Sequence, residues 1–237
     1  MIFVILPAFN EAACIEDLIK RLDLILSDHR KEIVLVDDGS KDNTVWLAKH
    51  CGVPVTIIEH PKNMGLGPAM LSGLKYVISI SNDDDLIVTM DADFTHQPIY
   101  LKKAIEKIKD YDVVILSRYH GGWKLGLSET RSIASLLVNM TLKTCFNIPG
   151  VLEYTCNFRV MRSSSILKVF ASFKSPIELL EWGFVASTEL LVKLRATGAR
   201  ITETPFTLCY NMKSGKSKMN VKRTLMGYLR LILHGIG

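Results

Sequence analysis

Residues 86–98 read LIVTMDADFTHQP. Leu86–Met90 is apolar without polar alternation, the pattern of a strand covered on both faces. The run ends in Asp91 and Asp93, and Pro98 then opens a helical segment over 98–109. A buried strand that finishes in two carboxylates and hands over to a helix is one unit of a parallel α/β sheet. It also raises the question of what the carboxylates hold.

The neighbouring segments repeat that unit. Ile2–Leu6, Ile33–Val36, Val53–Ile58 and Val113–Leu116 are short apolar runs. Between them lie helical patterns at 11–27 (Ile15, Leu18, Ile19, Leu22 and Leu26 on one side), 42–50 and 67–80. Residues 1 to about 118 therefore predict a mostly parallel, Rossmann-like α/β sheet with flanking helices. Such sheets bind ligands at the carboxyl ends of their strands. The polar clusters fall there: Pro7–Glu11, Asp37–Ser40, Asp91–Thr95 and Ser117–Arg118. The second half is less regular, with amphipathic helices predicted at 130–146 and 221–234 and a helical pattern at 178–197 broken by Gly183. Thr144–Gly150 and Tyr210–Met219 read as loops.

The 237 residues carry a formal charge of +5, unevenly spread. No acid follows Glu203, whereas Lys213, Lys216, Lys218, Lys222, Arg223 and Arg230 do. Such a tail seeks anions. It lacks the aromatic interleaving of a nucleic-acid surface, and acids at the sheet edge would repel a nucleic-acid backbone, so nucleic acid is not an expected partner. The cysteines Cys14, Cys51, Cys145, Cys156 and Cys209 show no C-x-x-C spacing, which points to a reducing compartment and no thiolate metal site. The apolar start lacks a basic leader and meets Pro7 early, so it reads as a strand rather than a signal peptide. No apolar run is long enough to span a bilayer.

Two aspartates one residue apart at a strand end suit a hard cation such as Mg²⁺ or Mn²⁺, which keeps positions for substrate phosphates. Asp37 or Asp38, on a neighbouring strand end, suits a ribose or base. D-x-D-x-T also resembles the nucleophile motif of haloacid-dehalogenase-like phosphatases. That motif closes the first core strand and needs later aspartates, and no aspartate follows Asp112. A dinucleotide fingerprint is absent after the first strand. Trp123 and His96 stand near the polar edge, with packing or structural polarity as the plainer roles.

Taken in order, ILPAFNEAACIEDLI, IVLVDDGSKDNT, KNMGLGPAMLSGL, VTMDADFTHQP, VVILSRYHGG, the Arg131 region, TCNFRVMR, STELLVKLRATGARITETPF and SGKSKM resemble the inverting glycosyltransferases of family 2, with the GT-A fold. Within them the chain is similar to the dolichyl- or polyprenyl-phosphate sugar synthases. The resemblance implies a GT-A catalytic domain over 1–220 and a C-terminal amphipathic, basic segment over 221–237. It implies transfer of a hexose from GDP-mannose or a UDP-sugar to a polyprenyl phosphate, with a Mg²⁺ or Mn²⁺ cofactor. Pro7, Phe9, Glu11 and Asp38 would line base and ribose, Asp37 would support that wall, and Lys62 stands near a frequent Arg. Asp91 and Asp93 would hold metal and diphosphate, with Thr95 beside them. Arg118, Arg131 and Arg159 would face phosphates, and Lys218 would reach the diphosphate from a loop. Cys156-Asn157 replaces a frequent Ser-Gly, and Lys213 stands where Arg is common, so the sugar stays open. A hydroxyl acceptor would need a carboxylate base, for which Glu189 and Glu181 are the later candidates. A non-catalytic nucleotide-binding subunit is the rival from another class. The expected location is peripheral, at the cytoplasmic face of a membrane, held by the basic amphipathic helices or an anchoring partner, and a homo-oligomer is compatible with the same helices.

Overall fold

The computed structural model describes residues 1–179, 184–213 and 220–235. A seven-stranded sheet runs through it in the order β3-β2-β1-β4-β7-β5-β8. Its strands are β1 (Ile2–Ala8), β2 (Lys31–Asp37), β3 (Val55–Glu59), β4 (Leu86–Thr89), β5 (Val113–Ser117), β7 (Arg159–Arg162) and β8 (Ile201–Pro205). All neighbouring pairs are parallel except those of β7, which runs antiparallel to both β4 and β5. Two short strands, β6 (Trp123–Leu125) and β9 (Thr207–Cys209), pair separately.

Helices cover both faces. On one side lie α1 (Ile15–Ile25), α2 (Thr44–His50) and α4 (Leu101–Lys107), packed on Ile2, Val4 and Leu6 of β1. On the other lie α3 (Leu66–Ile80), α6 (Ser163–Ser172) and α7 (Val185–Ala196), packed on Phe3 and Ile5. Successive residues of β1 thus serve opposite cores, which is why the strand is apolar throughout. The last two helices, α5 (Glu129–Phe146) and α8 (Val221–His234), join the second core through Leu142, Tyr228 and Leu231.

The expected parallel α/β sheet is present, with one correction. It is not confined to residues 1–118. β7 and β8, from the half that looked irregular, complete its centre and one edge. The helix at 98–109 is α4 flanked by single 3₁₀ turns.

Strand order turns about β1: β2 and β3 lie to one side, β4 to the other. The loops after β1 and β4 therefore diverge around a crevice, the place where such sheets bind ligands. The Cys14 thiol crosses its floor to the Ala92 carbonyl at 3.3 Å.

Candidate active site

The loops after β1 and β2 are sewn together. Asn10 N–H donates to Ser40 Oγ at 2.8 Å, Lys41 N–H to Asn10 Oδ1 at 2.7 Å, and Glu11 N–H to Thr44 Oγ1 at 2.8 Å. Asn10 has φ of 53°, a left-handed conformation that asparagine tolerates better than most residues. This stitching walls an open cavity of about 560 Å³ lined by Phe9, Asp37, Gly39, Lys41, His60 and Lys62, among others. Gly39 has φ of 74°, and a Cβ there would stand 2.5 Å from the Lys62 carbonyl carbon. Only glycine lets the two loops close to this spacing.

The two adjacent aspartates face different surroundings. Asp38 accepts from Met64 N–H at 2.9 Å, Gly65 N–H at 2.7 Å and pairs with His60 Nδ1 at 2.8 Å. His60 Nε2 in turn meets Ser72 Oγ at 2.9 Å. Asp38 is thus used in folding the 60–65 loop. Asp37 lines the cavity: Oδ2 accepts from Ser40 N–H at 3.0 Å, and Oδ1 is buried with no partner among the described residues. A buried carboxylate oxygen left this way is costly. Pro7 lies within β1, beside this wall.

Asp91 and Asp93 leave β4 on a tight loop with Phe94 at φ of 65°. Asp91 is the more open, its side chain 28% exposed, and Asn157 Nδ2 donates to its Oδ1 at 3.3 Å. Asn157 Oδ1 accepts from Ser187 Oγ at 3.2 Å, which fixes the amide's direction. Asp93 is buried. Its Oδ1 accepts from Thr95 N–H at 3.2 Å and Thr95 Oγ1 at 2.6 Å, and its Oδ2 is paired with Lys213. Burial opposes ionisation of Asp93, but Lys213 and the Thr95 hydroxyl outweigh it and hold the carboxyl below its usual range. Burial likewise opposes the Lys213 charge and is overcome by Asp93, Asp91 and Glu11, which raise that ammonium.

Two hard oxygen ligands on one loop, one partly open to the crevice, fit a divalent cation that draws further ligands from phosphate and water. The Lys213 ammonium at Asp93 Oδ2 already marks the place as one that attracts positive charge. Among the described residues no group of three or more His, Cys, Asp or Glu is disposed to hold a metal without such help. The Thr95 hydroxyl donates to Asp93 and so orients that carboxylate. His96 is buried, accepts the Asp91 N–H at Nδ1 (3.0 Å) and stacks on Phe158, so it shapes the loop. Burial lowers its pKa and keeps the ring neutral.

The arginines part company. Arg118, after β5, forms a two-pronged pair with Glu153: Nε to Oε2 and Nη2 to Oε1, both 2.7 Å. Glu153 is fully buried and also accepts from the Thr155 and Cys156 N–H groups. Burial opposes its charge, yet Arg118 holds it below the usual carboxylate range. The Arg118 Nη1 takes no part in that pair. Arg131, on α5, is exposed and donates to Tyr210 Oη at 2.8 Å. Arg159 is the correction: it is fully buried, with its guanidinium turned to the carbonyls of Ser187 and Tyr154 rather than to the crevice. Burial lowers its pKa to about 10. Glu189 is also corrected as a candidate base. Its carboxylate is buried, accepts the N–H groups of Glu178 and Leu179, and pairs with Lys193 at 2.8 Å. Lys218 and Glu181 lie outside the described residues.

Glu203 escaped notice in the sequence. Its Oε1 accepts from the N–H groups of Leu152 and Glu153, both at 2.6 Å, while burial raises its carboxyl. A lone acid in an alternating strand gives no signal of this. For Glu153 the hint was its place just before the TCNFRVMR segment.

The family model described as Glycosyl transferase family 2 matches residues 3–170, which carry the crevice and both aspartate pairs. This chain belongs to that family. A dolichol-phosphate mannosyltransferase of Pyrococcus furiosus is 32% identical over 97% of this chain and 62% of its own length. The chain thus spans under two thirds of that relative. An uncharacterized protein of Methanocaldococcus jannaschii is 28% identical over 99% of this chain and 92% of its own. Among solved structures, glucosyl-3-phosphoglycerate synthase from Mycobacterium tuberculosis, in complex with Mn²⁺, UDP and phosphoglyceric acid, matches with a TM-score of 0.66. It is 17% identical and covers 100% of this chain and 79% of that one, a likeness of fold. The family 2 glycosyltransferase therefore has the GT-A architecture that its motifs implied.

Proposed function

We propose that this glycosyltransferase moves a hexose from a nucleoside-diphosphate sugar to a polyprenyl phosphate, with inversion at the anomeric carbon. The observation that carries the acceptor is where α5 lies. Asn139 of α5 donates to Thr155 Oγ1 at 3.2 Å, the same oxygen that Arg118 Nη2 reaches at 2.9 Å. The flank of α5 beside Asn139 exposes Ile133, Leu136, Leu137 and Met140. An apolar helix face one residue away from a fixed guanidinium suits an acceptor with a phosphate head and a hydrocarbon tail. α8 exposes Leu225, Met226, Leu229 and Leu233 beside Lys222 and Arg223. That pattern supports a peripheral seat on an anionic membrane surface. No described helix is long and apolar enough to cross a membrane. All five cysteines are free, which fits the cytoplasmic face.

The donor would lie with its base in the Phe9–Lys62 cavity, beside Asp37, and its diphosphate toward Asp91. Mg²⁺ or Mn²⁺ held by Asp91 and Asp93 would supply compensation for charge gathering on the departing diphosphate. Asn157 orients Asp91, and Thr95 orients Asp93. Arg118 Nη1 and Arg131 would draw in and align the acceptor phosphate. Such a phosphate is ionised near neutral pH, so its oxygen attacks without a strong general base.

Calorimetry with GDP-mannose, UDP-glucose and UDP-N-acetylglucosamine, each with Mg²⁺ or Mn²⁺, identifies the donor. Turnover is then followed with polyprenyl phosphate in vesicles and with water-soluble alcohols. Asp91→Asn and Asp93→Asn should each abolish metal-dependent turnover while the protein remains folded. Full activity in both variants, or transfer to soluble hydroxyls alone, would refute the proposal.

A further inference from the structure

The reading of Asp91 and Asp93 as a cation site has a consequence at Lys213, because one positive charge is already there. We propose that Lys213 is a resident counter-ion of Asp93, which a divalent cation must displace before it can bind. The displaced ammonium is then released to a donor diphosphate. This inference rests on the proposed function and concerns how its cation site is filled.

The pair is built rather than incidental. Asp93 Oδ1 is occupied by Thr95, which leaves Oδ2 as the oxygen that faces a cation, and Lys213 takes it. Both side chains of the pair are only 12% exposed. The segment that delivers Lys213 is tied to the aspartate loop at several points. Cys209 N–H donates to the Thr95 carbonyl at 3.0 Å, and Gln97 Nε2 bridges the Phe94 carbonyl at 2.7 Å and Met212 Sδ at 3.5 Å. Lys213 N–H closes the 210–212 turn on the Tyr210 carbonyl at 3.2 Å. The Tyr210 ring lies 5.9 Å from the Lys213 ammonium and 5.9 Å from the Arg131 guanidinium.

An ammonium and a divalent ion on the same buried carboxylate oxygen repel each other strongly. A metal–oxygen distance of about 2.1 Å would bring two positive charges into the same small volume. A lysine suits exchange, because its charge is a point on a flexible stem and can leave without breaking a bidentate fork. The diphosphate is the natural next anion for it. Nucleotide and metal would then favour each other's binding, since each removes the competitor of the other.

Mn²⁺ binding is read by electron paramagnetic resonance on the full chain without nucleotide. Lys213→Met should bind Mn²⁺ about tenfold more tightly than wild type, within the 5–150-fold range of ordinary coupling between sites. Lys213→Gln should do the same and guards against a misfolded first variant, with thermal unfolding as the check. On the wild-type protein, acetylation of Lys213 by an amine reagent, followed by mass spectrometry, should speed up when Mn²⁺ is added. In Asp93→Asn it should be fast from the start. Unchanged or weaker Mn²⁺ affinity in both lysine variants, or labelling indifferent to Mn²⁺, overturns the proposal. If wild type still binds Mn²⁺ and turns over donor in that case, the functional reading survives alone. Absence of Mn²⁺ binding by every form, with UDP present, removes both.

Discussion

Glu153→Gln tests the scaffold behind Arg118. The carboxylate is fully buried and accepts from Arg118 Nε and Nη2, Thr155 N–H and Oγ1, and Cys156 N–H. Glutamine keeps the shape but loses the charge. Its amide nitrogen must also face either Arg118 Nε or the Thr155 and Cys156 N–H groups, all of them donors. Breaking a buried pair by neutralising one partner costs about 3–5 kcal/mol. One carbonyl acceptor survives, so the lower end, about 3 kcal/mol, is expected. For a chain of this size that lowers the unfolding midpoint by about 6–12 °C. Arg118→Met alone should cost a similar amount, and the double variant clearly less than the sum. The pH dependence has a definite sign. Glu153 is held low in the folded protein. Its contribution is complete above the unfolded carboxylate value of about 4.3 and fades as pH falls through the folded value. The gap between wild type and Glu153→Gln should therefore narrow in acid. Calorimetric unfolding across pH measures all of this. Additive single and double variants, within about 0.5 kcal/mol, would refute the argument.

Gly39→Ala forces an L-residue into the left-handed region and drives a Cβ into the Lys62 backbone. A strain of about 1–2 kcal/mol is expected, with roughly tenfold weaker nucleotide binding by calorimetry; unchanged affinity would show that the cavity does not hold the donor. Cys156 is buried with its thiol pushed up to about 12, whereas Cys145 is exposed. Iodoacetamide at pH 8 should therefore modify Cys145 readily and leave Cys156 intact until denaturant is added, as read by peptide mass spectrometry. Leu137→Glu combined with Leu229→Glu alters two exposed positions, 58% and 52% accessible. Stability should change by less than about 1 kcal/mol, while flotation with anionic vesicles should disappear.

The sheet and its ligand-binding edge were legible because buried parallel strands are apolar throughout and their ends are abruptly polar. β1, β2, β4 and β5 all announce themselves this way. β7 does not, since Arg159 and Arg162 bound its four residues and only the fold reveals that Arg159 is inside. Asp37 and Asp38 were recognisable as a pair. Which of them faces the cavity depends on how residues 60–65 fold back, and two identical side chains carry no mark of that. Asp91 and Asp93 were found as carboxylates at a strand end. The lysine opposite comes from 120 residues further on, and nothing local links them. Glu153 and Glu203 illustrate the same limit: burial turns an ordinary acid into a structural keystone, and burial is a property of the whole chain.

The position of β7 also bears on synthesis. β4 and β5 have no contact as sheet neighbours until residues 159–162 arrive between them, and β5 has no outer partner until 201–205. A nascent chain that has emerged only to Ser117 therefore holds two strands with open hydrogen-bonding edges, the usual template for wrong pairing. The ribosome must deliver most of the polypeptide before the middle of the sheet can close. Folding should be slow and late, and holdase chaperones would have most to do while residues 118–205 are still being made.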